Sequence, residues 1–312
     1  MNVLVTGGAG FIGSTVARRL IAEGHNVAIL DNLETGKRHN VPAEAPLILG
    51  DVRDEAAVRA ACVGKELVIH QAAMVSVSLS TIEPARCFDI NVTGTRNVLS
   101  AASHAGCRRV VLASSAAVYG DEPTLPKRED MPVLPLSPYA YAKWQNEVDA
   151  AYWQRFCGLE AVCLRYFNVF GPRQDPASPY SGVISIAAQR LLSRQPFTVF
   201  GDGLQTRDFV FVQDVASAVV AASTSPQAAG AVINVGRGER VTLLQLLDQL
   251  GEVLGVQPEL RFEGPRAGDV RHSLSDITQL RERLGIRSQV DLQTGLAATI
   301  AWMRGESDAS AG

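Results

Sequence analysis

The first twenty-two residues constrain the fold more than any other stretch. The apolar run Val3-Leu4-Val5 ends on Gly7-Gly8-Ala9-Gly10, and Phe11 to Ala22 then carries apolar residues at helical spacing, with Gly13 in the first turn. Strand, glycine turn and helix in immediate succession open a βαβ unit. The alternation repeats: Asn26 to Leu30 and Leu47 to Leu49 read as strands, Ala56 to Ala61 as a helix and Leu67 to Ile69 as a strand. Ala85 to His104 reads as a helix, Arg109 to Leu112 as a strand, Tyr139 to Phe156 as a helix and Ala161 to Leu164 as a strand. Such alternation predicts an α/β fold with a Rossmann-type, doubly wound parallel sheet covered on both faces.

After Tyr166 the pattern breaks into Gly171-Pro172-Arg173-Gln174-Asp175-Pro176, a composition that favours irregular chain. Asp214 to Ala222 and Ala231 to Val235 again read as helix then strand and can return to the main sheet, while Thr242 to Leu254 is a Leu-rich helix that Thr242 can cap. The expected division is a dinucleotide-binding domain over 1–166 with a return segment at about 208–236, and a smaller C-terminal α/β substrate lobe built from 167–207 and 237–312.

With 312 residues, 46% of them hydrophobic, the chain can bury a large core. Its net charge of −3 gives no general attraction to nucleic acid or to an anionic membrane, so an anionic ligand has to be met by local cations. Five cysteines, Cys62, Cys87, Cys107, Cys157 and Cys163, show neither pairing number nor C-x-x-C spacing, which argues for reduced thiols and no metal site. Strand-forming residues begin at Val3, and no apolar run reaches the length of a membrane span. The expectation is a cytoplasmic protein.

Gly7-x-x-Gly10-x-x-Gly13 departs from G-x-G-x-x-G, yet its place between strand and helix suits a pyrophosphate: Gly7 for the turn, Gly10 for close approach, Gly13 for helix packing on the sheet. Asp31 ends the second strand, where a carboxylate accepts from both adenosine ribose hydroxyls and repels a 2′-phosphate, favouring NAD. Lys37-Arg38-His39 nearby leave NADP open, and Asp51 is placed to bond the adenine amino group. Tyr139 and Lys143 stand four apart on one helical face. A free phenol, with a pKa of about 10, is too weak an acid to work near neutrality. An adjacent ammonium and an oxidised nicotinamide are expected to lower it, with Ser115 bonding the same sugar hydroxyl. Tyr141 points off that face and is assigned to packing or an interface, and His70, closing a buried strand, to structure.

The chain resembles the extended short-chain dehydrogenase/reductase family, and within it the UDP-hexose 4-epimerases, over nearly its whole length. The resemblance is carried by Gly7 to Gly13, His70-Gln71-Ala72-Ala73, Asn91-Val92-Thr93-Gly94-Thr95, Ser114-Ser115-Ala116-Ala117-Val118-Tyr119-Gly120, Pro138-Tyr139 to Lys143, and Arg165-Tyr166-Phe167-Asn168. It implies NAD as cofactor, lined by Gly7, Gly10, Phe11, Ile12, Gly13, Asp31, Asn32, Asp51, Val52, Gln71, Ala72, Ala73, Asn91 and Ser114, with Tyr166 flanking the nicotinamide. Tyr139 would be the base and Lys143 would also hold the nicotinamide ribose. Asn168, Phe200, Arg207, Arg266 and Asp269 would hold the nucleotide diphosphate of a UDP-sugar, with both arginines on phosphate and Asp269 on ribose.

Dehydratases of this family place an Asp-Glu pair where this chain has Ala116 and Ala117, so the resemblance implies epimerisation at C4 through a 4-keto sugar. In similar epimerases the position of Ser273 is a gate beside the sugar's 2-substituent, and its small size implies that UDP-GlcNAc and UDP-GalNAc are accepted as well as UDP-Glc and UDP-Gal. A UDP-glucuronate 4-epimerase would need a cation or several donors near C6, which the sequence does not locate. A non-catalytic dinucleotide-binding scaffold is opposed by intact Ser115, Tyr139 and Lys143. The resemblance also implies a homodimer, paired through the helices around Ala85 to His104 and Tyr139 to Phe156.

Overall fold

In a computed structural model, described over residues 1–175, 182–265 and 270–305, every strand of the central sheet runs parallel to its neighbours. The first six strands are β1 (Asn2–Thr6), β2 (Asn26–Asp31), β3 (Leu47–Leu49), β4 (Leu67–His70), β5 (Arg109–Ser115) and β6 (Glu160–Tyr166). A seventh strand, Val232–Val235, lies outside β6, giving the order β3, β2, β1, β4, β5, β6, Val232–Val235. Chain order reverses between β1 and β4, and in open α/β sheets ligands bind at that reversal, beyond the carboxyl ends of the strands.

The strands are apolar throughout because both faces of the sheet are covered. Val3 and Val5 of β1 join one core with Ile29, Ile69, Val111 and Leu164; Leu4 joins the opposite core with Leu30, Val68, Val110 and Leu112. The first core is closed by α1 (Phe11–Ala22), through Val16, Ala17 and Leu20, and by the helix Val212–Thr224, through Val215 and Val219. The second is closed by α2 (Glu55–Cys62) with Val58, and by Val98 and Leu99 of the helix Gly94–His104.

A third core lies apart from the sheet. Ile184 and Leu191 of the helix Val183–Leu192, Leu246 and Leu250 of Leu243–Leu254, and Leu296 and Ile300 of Leu292–Met303 meet Phe170, Phe209 and Phe211 there. Thr242 caps the Leu-rich helix in a full capping box with Gln245.

Two elements differ from expectation. The helix anticipated from Ala85 to His104 is interrupted: α4 (Pro84–Phe88) and α5 (Gly94–His104) flank a π-helical turn at Asp89–Thr93. That turn carries Asn91, whose amide is drawn into the backbone of Met74. An unanticipated short helix, α3 (Val77–Ile82), is capped by Ser76. Its Ser80 hydroxyl accepts the Tyr139 N–H of α6 (Pro138–Cys157) at 3.1 Å, a helix that Ser137 caps, Pro138 opens and a left-handed Gly158 ends. No helix among the described residues is long and apolar enough to cross a membrane, and the described His, Cys, Asp and Glu form no group of three or more able to hold a metal.

Candidate active site

At the reversal point, the glycine turn is fixed by close contacts. Gly7 takes a left-handed φ of +70°, donates its N–H to Leu30 O at 2.9 Å, and has backbone so near that a Cβ would lie 2.6 Å from Ala72 N. A Cβ on Gly13 would fall 2.2 Å from Gly7 O, so Gly13 lets the start of α1 approach the turn as the rest of the helix packs on the sheet. Gly10 is the N-cap of α1 and covers none of its first N–H groups, and Phe11 and Ile12 form the first turn. An anion is favoured at such a helix start.

Asp31 is buried, and its carboxylate accepts the Ala9 N–H at 2.9 Å and the Leu33 N–H at 2.8 Å. It therefore ties the end of β2 to the glycine turn. Lys37, one of the cations that left NADP open, faces Asp175 at 3.6 Å. Asp51 is held by its neighbours: Asn32 Nδ2 donates to it at 2.8 Å, and Arg53 donates Nε at 2.9 Å and its terminal nitrogen at 2.8 Å. The Arg53 hydrogen bonds keep its carboxyl far below the usual range. Val52 is buried against Gly94. A glycine-rich turn, an open helix start and a carboxylate at the end of β2 fit a dinucleotide.

After β4, Gln71, Ala72 and Ala73 follow one another on half-buried backbone. Thr95 Oγ1 donates to Asn91 O at 2.6 Å, so it accepts from His70 Nε2 at 2.9 Å; the other ring nitrogen, Nδ1, then accepts from Thr6 Oγ1 at 2.7 Å. Burial, with Lys143 nearby, pulls the ring down to about 3 and keeps it neutral. Asn91 is fully engaged with the same loop: Oδ1 accepts the Met74 N–H at 2.8 Å and Nδ2 donates to Met74 O at 2.9 Å. Asn91 is thus a support beneath the loop. Gln71 Nε2 donates to the Tyr166 hydroxyl at 3.1 Å, and burial pushes that phenol well up.

Ser115, Tyr139 and Lys143 come together where β5 ends and α6 begins. The Ser115 hydroxyl accepts the Ala117 N–H at 3.2 Å and lies near enough to the Tyr139 phenol to favour its ionised form, and Lys143 Nζ stands 5.9 Å from the centre of the Tyr139 ring. Lys143 is buried and donates to Ala113 O at 2.8 Å, and desolvation brings it down to about 8. The phenol stands above its ordinary value, where the sequence predicts a lowered one: desolvation outweighs the lowering influence of Ser115. An oxidised nicotinamide bound beside the phenol would add a positive charge that favours its ionised form.

Ser114 departs from its expected place in the cofactor path. Its hydroxyl donates to Glu147 Oε1 at 2.5 Å, and Glu147 in turn takes two bonds from Arg165, at 2.9 and 2.7 Å, in a buried ion pair. Tyr141 is exposed and sets its ring edge-on to Trp144 at 5.6 Å.

On the substrate side, Asn168 opens the strand Asn168–Phe170, two residues beyond Tyr166, and its Nδ2 donates to Asp208 O at 3.1 Å. Arg207 lies in the short strand Thr206–Arg207 and reaches Thr206 O at 3.0 Å and Arg271 O at 3.3 Å. The Ser273 N–H bonds Thr206 O at 3.1 Å. Asn168, Arg207 and Ser273 thus form one connected group. Phe200 ends the strand Phe197–Phe200, and its carbonyl accepts from Gln205 Nε2 at 3.0 Å. Arg266 and Asp269 lie outside the described residues. Reading the sequence missed Glu147 and Asp208, although the first stands one helical turn beyond Lys143 and the second directly follows Arg207.

The NAD dependent epimerase/dehydratase family model matches residues 3–236. A UDP-glucose 4-epimerase of Mycolicibacterium smegmatis is 40% identical over 314 residues, covering 98% of this chain and all of that protein. The structure of a UDP-glucose 4-epimerase from Thermotoga maritima with UDP-glucose superposes with a TM-score of 0.94 at 37% identity, covering 98% of this chain and 99% of that one. A UDP-N-acetylglucosamine 4-epimerase from Methanobrevibacter ruminantium, in complex with UDP-N-acetylmuramic acid, matches with the same score at 35% identity and the same coverage. The chain belongs to the NAD dependent epimerase/dehydratase family.

Proposed function

We propose that this protein is a UDP-hexose 4-epimerase, interconverting gluco and galacto configurations at C4 and accepting UDP-GlcNAc and UDP-GalNAc beside UDP-Glc and UDP-Gal. The observation that carries the reading is the meeting of Ser115, Tyr139 and Lys143 beside a glycine turn fitted to a dinucleotide, with Ala116 and Ala117 offering no acid or base for elimination. NAD, when bound, supplies the acceptor that takes the C4 hydride and gives it back.

Tyr139 removes the proton of the 4-hydroxyl, which Ser115 orients, and returns a proton to the 4-keto oxygen after the sugar has turned over. Lys143 holds positive charge beside the phenol. Asn168, Phe200, Arg207, Arg266 and Asp269 keep the nucleotide in place during that turn, the arginines by paired bonds to phosphate. In this reading residues 1–166 and 208–236 hold the cofactor, and 167–207 with 237–312 hold the nucleotide sugar. Gly7, Gly10, Asp31 and Gln71 to Ala73 line the dinucleotide, with Lys143 on the nicotinamide ribose and Tyr166 beside the ring.

Small Ser273 supports acceptance of acetylated sugars, as does the similarity to the Methanobrevibacter protein. The protein acts as a cytoplasmic homodimer: Val148, Tyr152 and Phe156 of α6 and Phe88 of α4 are exposed, an apolar surface suited to a second copy. Incubating the purified protein with each of the four UDP-sugars and separating C4 epimers by chromatography tests the reading; no epimer formed from any of the four sinks it.

A further inference from the structure

Asp208 is fully buried, directly follows Arg207, and has no part in the proton chemistry. Its Oδ2 accepts from the Ser275 N–H at 2.9 Å, the Ser275 hydroxyl at 2.5 Å and the Gly238 N–H at 3.1 Å, while Oδ1 accepts the Arg237 N–H at 2.8 Å. Its carbonyl accepts from the Asn168 N–H and from Asn168 Nδ2, both at 3.1 Å. Stretches far apart in sequence, near 168, 237 and 275, therefore converge on a single residue.

Burying a carboxylate is costly unless its lone pairs are met, and here four neutral donors meet them. Desolvation raises the Asp208 carboxyl, and the bonds from Ser275, Arg237 and Gly238 oppose that rise. Space at this point is tight as well. A Cβ on Gly236 would lie 2.2 Å from Ser275 Oγ and 3.0 Å from Asp208 Oδ2, so the bare backbone of Gly236 is what leaves room for the Ser275–Asp208 pair. The neighbouring backbone continues the contact: Thr206 N–H donates to Arg271 O at 3.0 Å, and Ser273 N–H to Thr206 O at 3.1 Å.

We propose that Asp208 is a positioning residue of the nucleotide-sugar site, its carboxylate locking the 206–208 segment to 273–275 and so setting the distance between Arg207 and Ser273. The inference rests on the UDP-sugar reading above, in which Arg207 grips the diphosphate and Ser273 stands beside the sugar's 2-substituent. Loosening the lock changes how firmly the nucleotide is held and which 2-substituent fits. Hydride and proton transfer at Tyr139 are left as they were.

Two variants test this. Asp208→Asn turns an amide donor towards donors, and Ser275→Ala removes the hydroxyl while keeping the backbone bond. The measurements are UDP affinity by calorimetry, KM and kcat for UDP-glucose and UDP-GlcNAc, and the bound-NAD absorbance. Asp208→Asn is expected to weaken UDP binding about tenfold and Ser275→Ala about threefold, the loss of one charge-assisted bond or part of one. NAD content and kcat stay at the wild-type level, while the kcat/KM ratio between the two sugars shifts. A purely structural role would lower the melting temperature and leave that ratio alone. Should Asp208→Asn fail to fold, Ser275→Ala carries the test. Folded variants with wild-type UDP affinity and an unchanged sugar ratio overturn the inference alone; a wild-type protein that binds no UDP overturns the underlying reading and the inference with it.

Discussion

Gly13→Ala and Gly10→Ala separate what the glycine turn does for the fold from what it does for the cofactor. The added Cβ of Gly13→Ala would stand 2.2 Å from Gly7 O, 2.8 Å from Gly7 C and 3.0 Å from Gly8 Cα. Non-bonded heavy atoms prefer a separation of about 3.5 Å, so turn and helix must part by about 1 Å. Gly7 cannot yield, because its N–H is bonded to Leu30 O at 2.9 Å, its carbonyl receives the Gly10 N–H at 3.1 Å, and Ala72 backs it closely. The strain falls on α1. Overpacking of this kind costs about 1–3 kcal/mol of stability, and the displaced helix start should weaken NAD binding by about tenfold or more.

In Gly10→Ala the new carbon would lie 3.2 Å from Gly7 O, a distance that small shifts relieve. The stability cost should then be only that of an alanine N-cap, about 0.5–1 kcal/mol, although the methyl stands over the first N–H groups of α1. Denaturant melts of the nucleotide-free variants, with calorimetric NAD titrations, read both quantities. Gly13→Ala should lose stability and affinity together, and Gly10→Ala mainly affinity. If Gly13→Ala matches the wild type in both, the turn is no rigid cradle; wild-type NAD affinity in Gly10→Ala removes the pyrophosphate from the start of α1.

Tyr139→Phe keeps the ring and removes the proton carrier, so turnover should drop about 10²–10⁴-fold while UDP and NAD binding persist; near-normal turnover in an epimer assay refutes the assignment. Ser273→Tyr should abolish turnover of UDP-GlcNAc and spare UDP-glucose, and equal loss with both sugars would show that position 273 is no gate. His70 is held at about 3 against an ordinary 6.5, so below pH 6.5 the unfolded chain binds a proton that the folded protein refuses. Stability should therefore fall as the pH drops from 6.5 towards 3, by about 2 kcal/mol at pH 5 from this group alone. His70→Gln should flatten that slope in denaturant melts, and an unchanged slope would mean that other groups carry it.

Much of the fold was legible because a doubly covered parallel sheet forces each strand to be apolar on both sides, as in Val3-Leu4-Val5 and Leu67-Val68-Ile69. The Thr242 cap was legible too, since a capping box is a four-residue signal. The helix Val183–Leu192 and the short strands between Asn168 and Phe211 were not, because they gain their order from the third core, whose members reach as far as Ile300. The break at Asp89–Thr93 was equally hidden: it answers to Met74, on another loop.

The site divides along the same line. Tyr139 and Lys143 share a helical face by spacing alone, and their pairing is a local property of α6. Ser114 and Ser115 are adjacent and chemically identical, yet Ser115 meets the phenol and Ser114 a carboxylate 33 residues away. The pleat of β5 turns the two hydroxyls to opposite sides, and Ser114 meets a Glu147 that is itself held by Arg165 on β6, which lies over the Tyr119 ring at 4.7 Å. Removing Glu147 would leave the buried Arg165 guanidinium without its partner, so Glu147 belongs to the packing behind Ser114. A motif can name the residue types that a reaction needs; which of two neighbouring hydroxyls turns towards the phenol follows from the alternation of the strand that carries them.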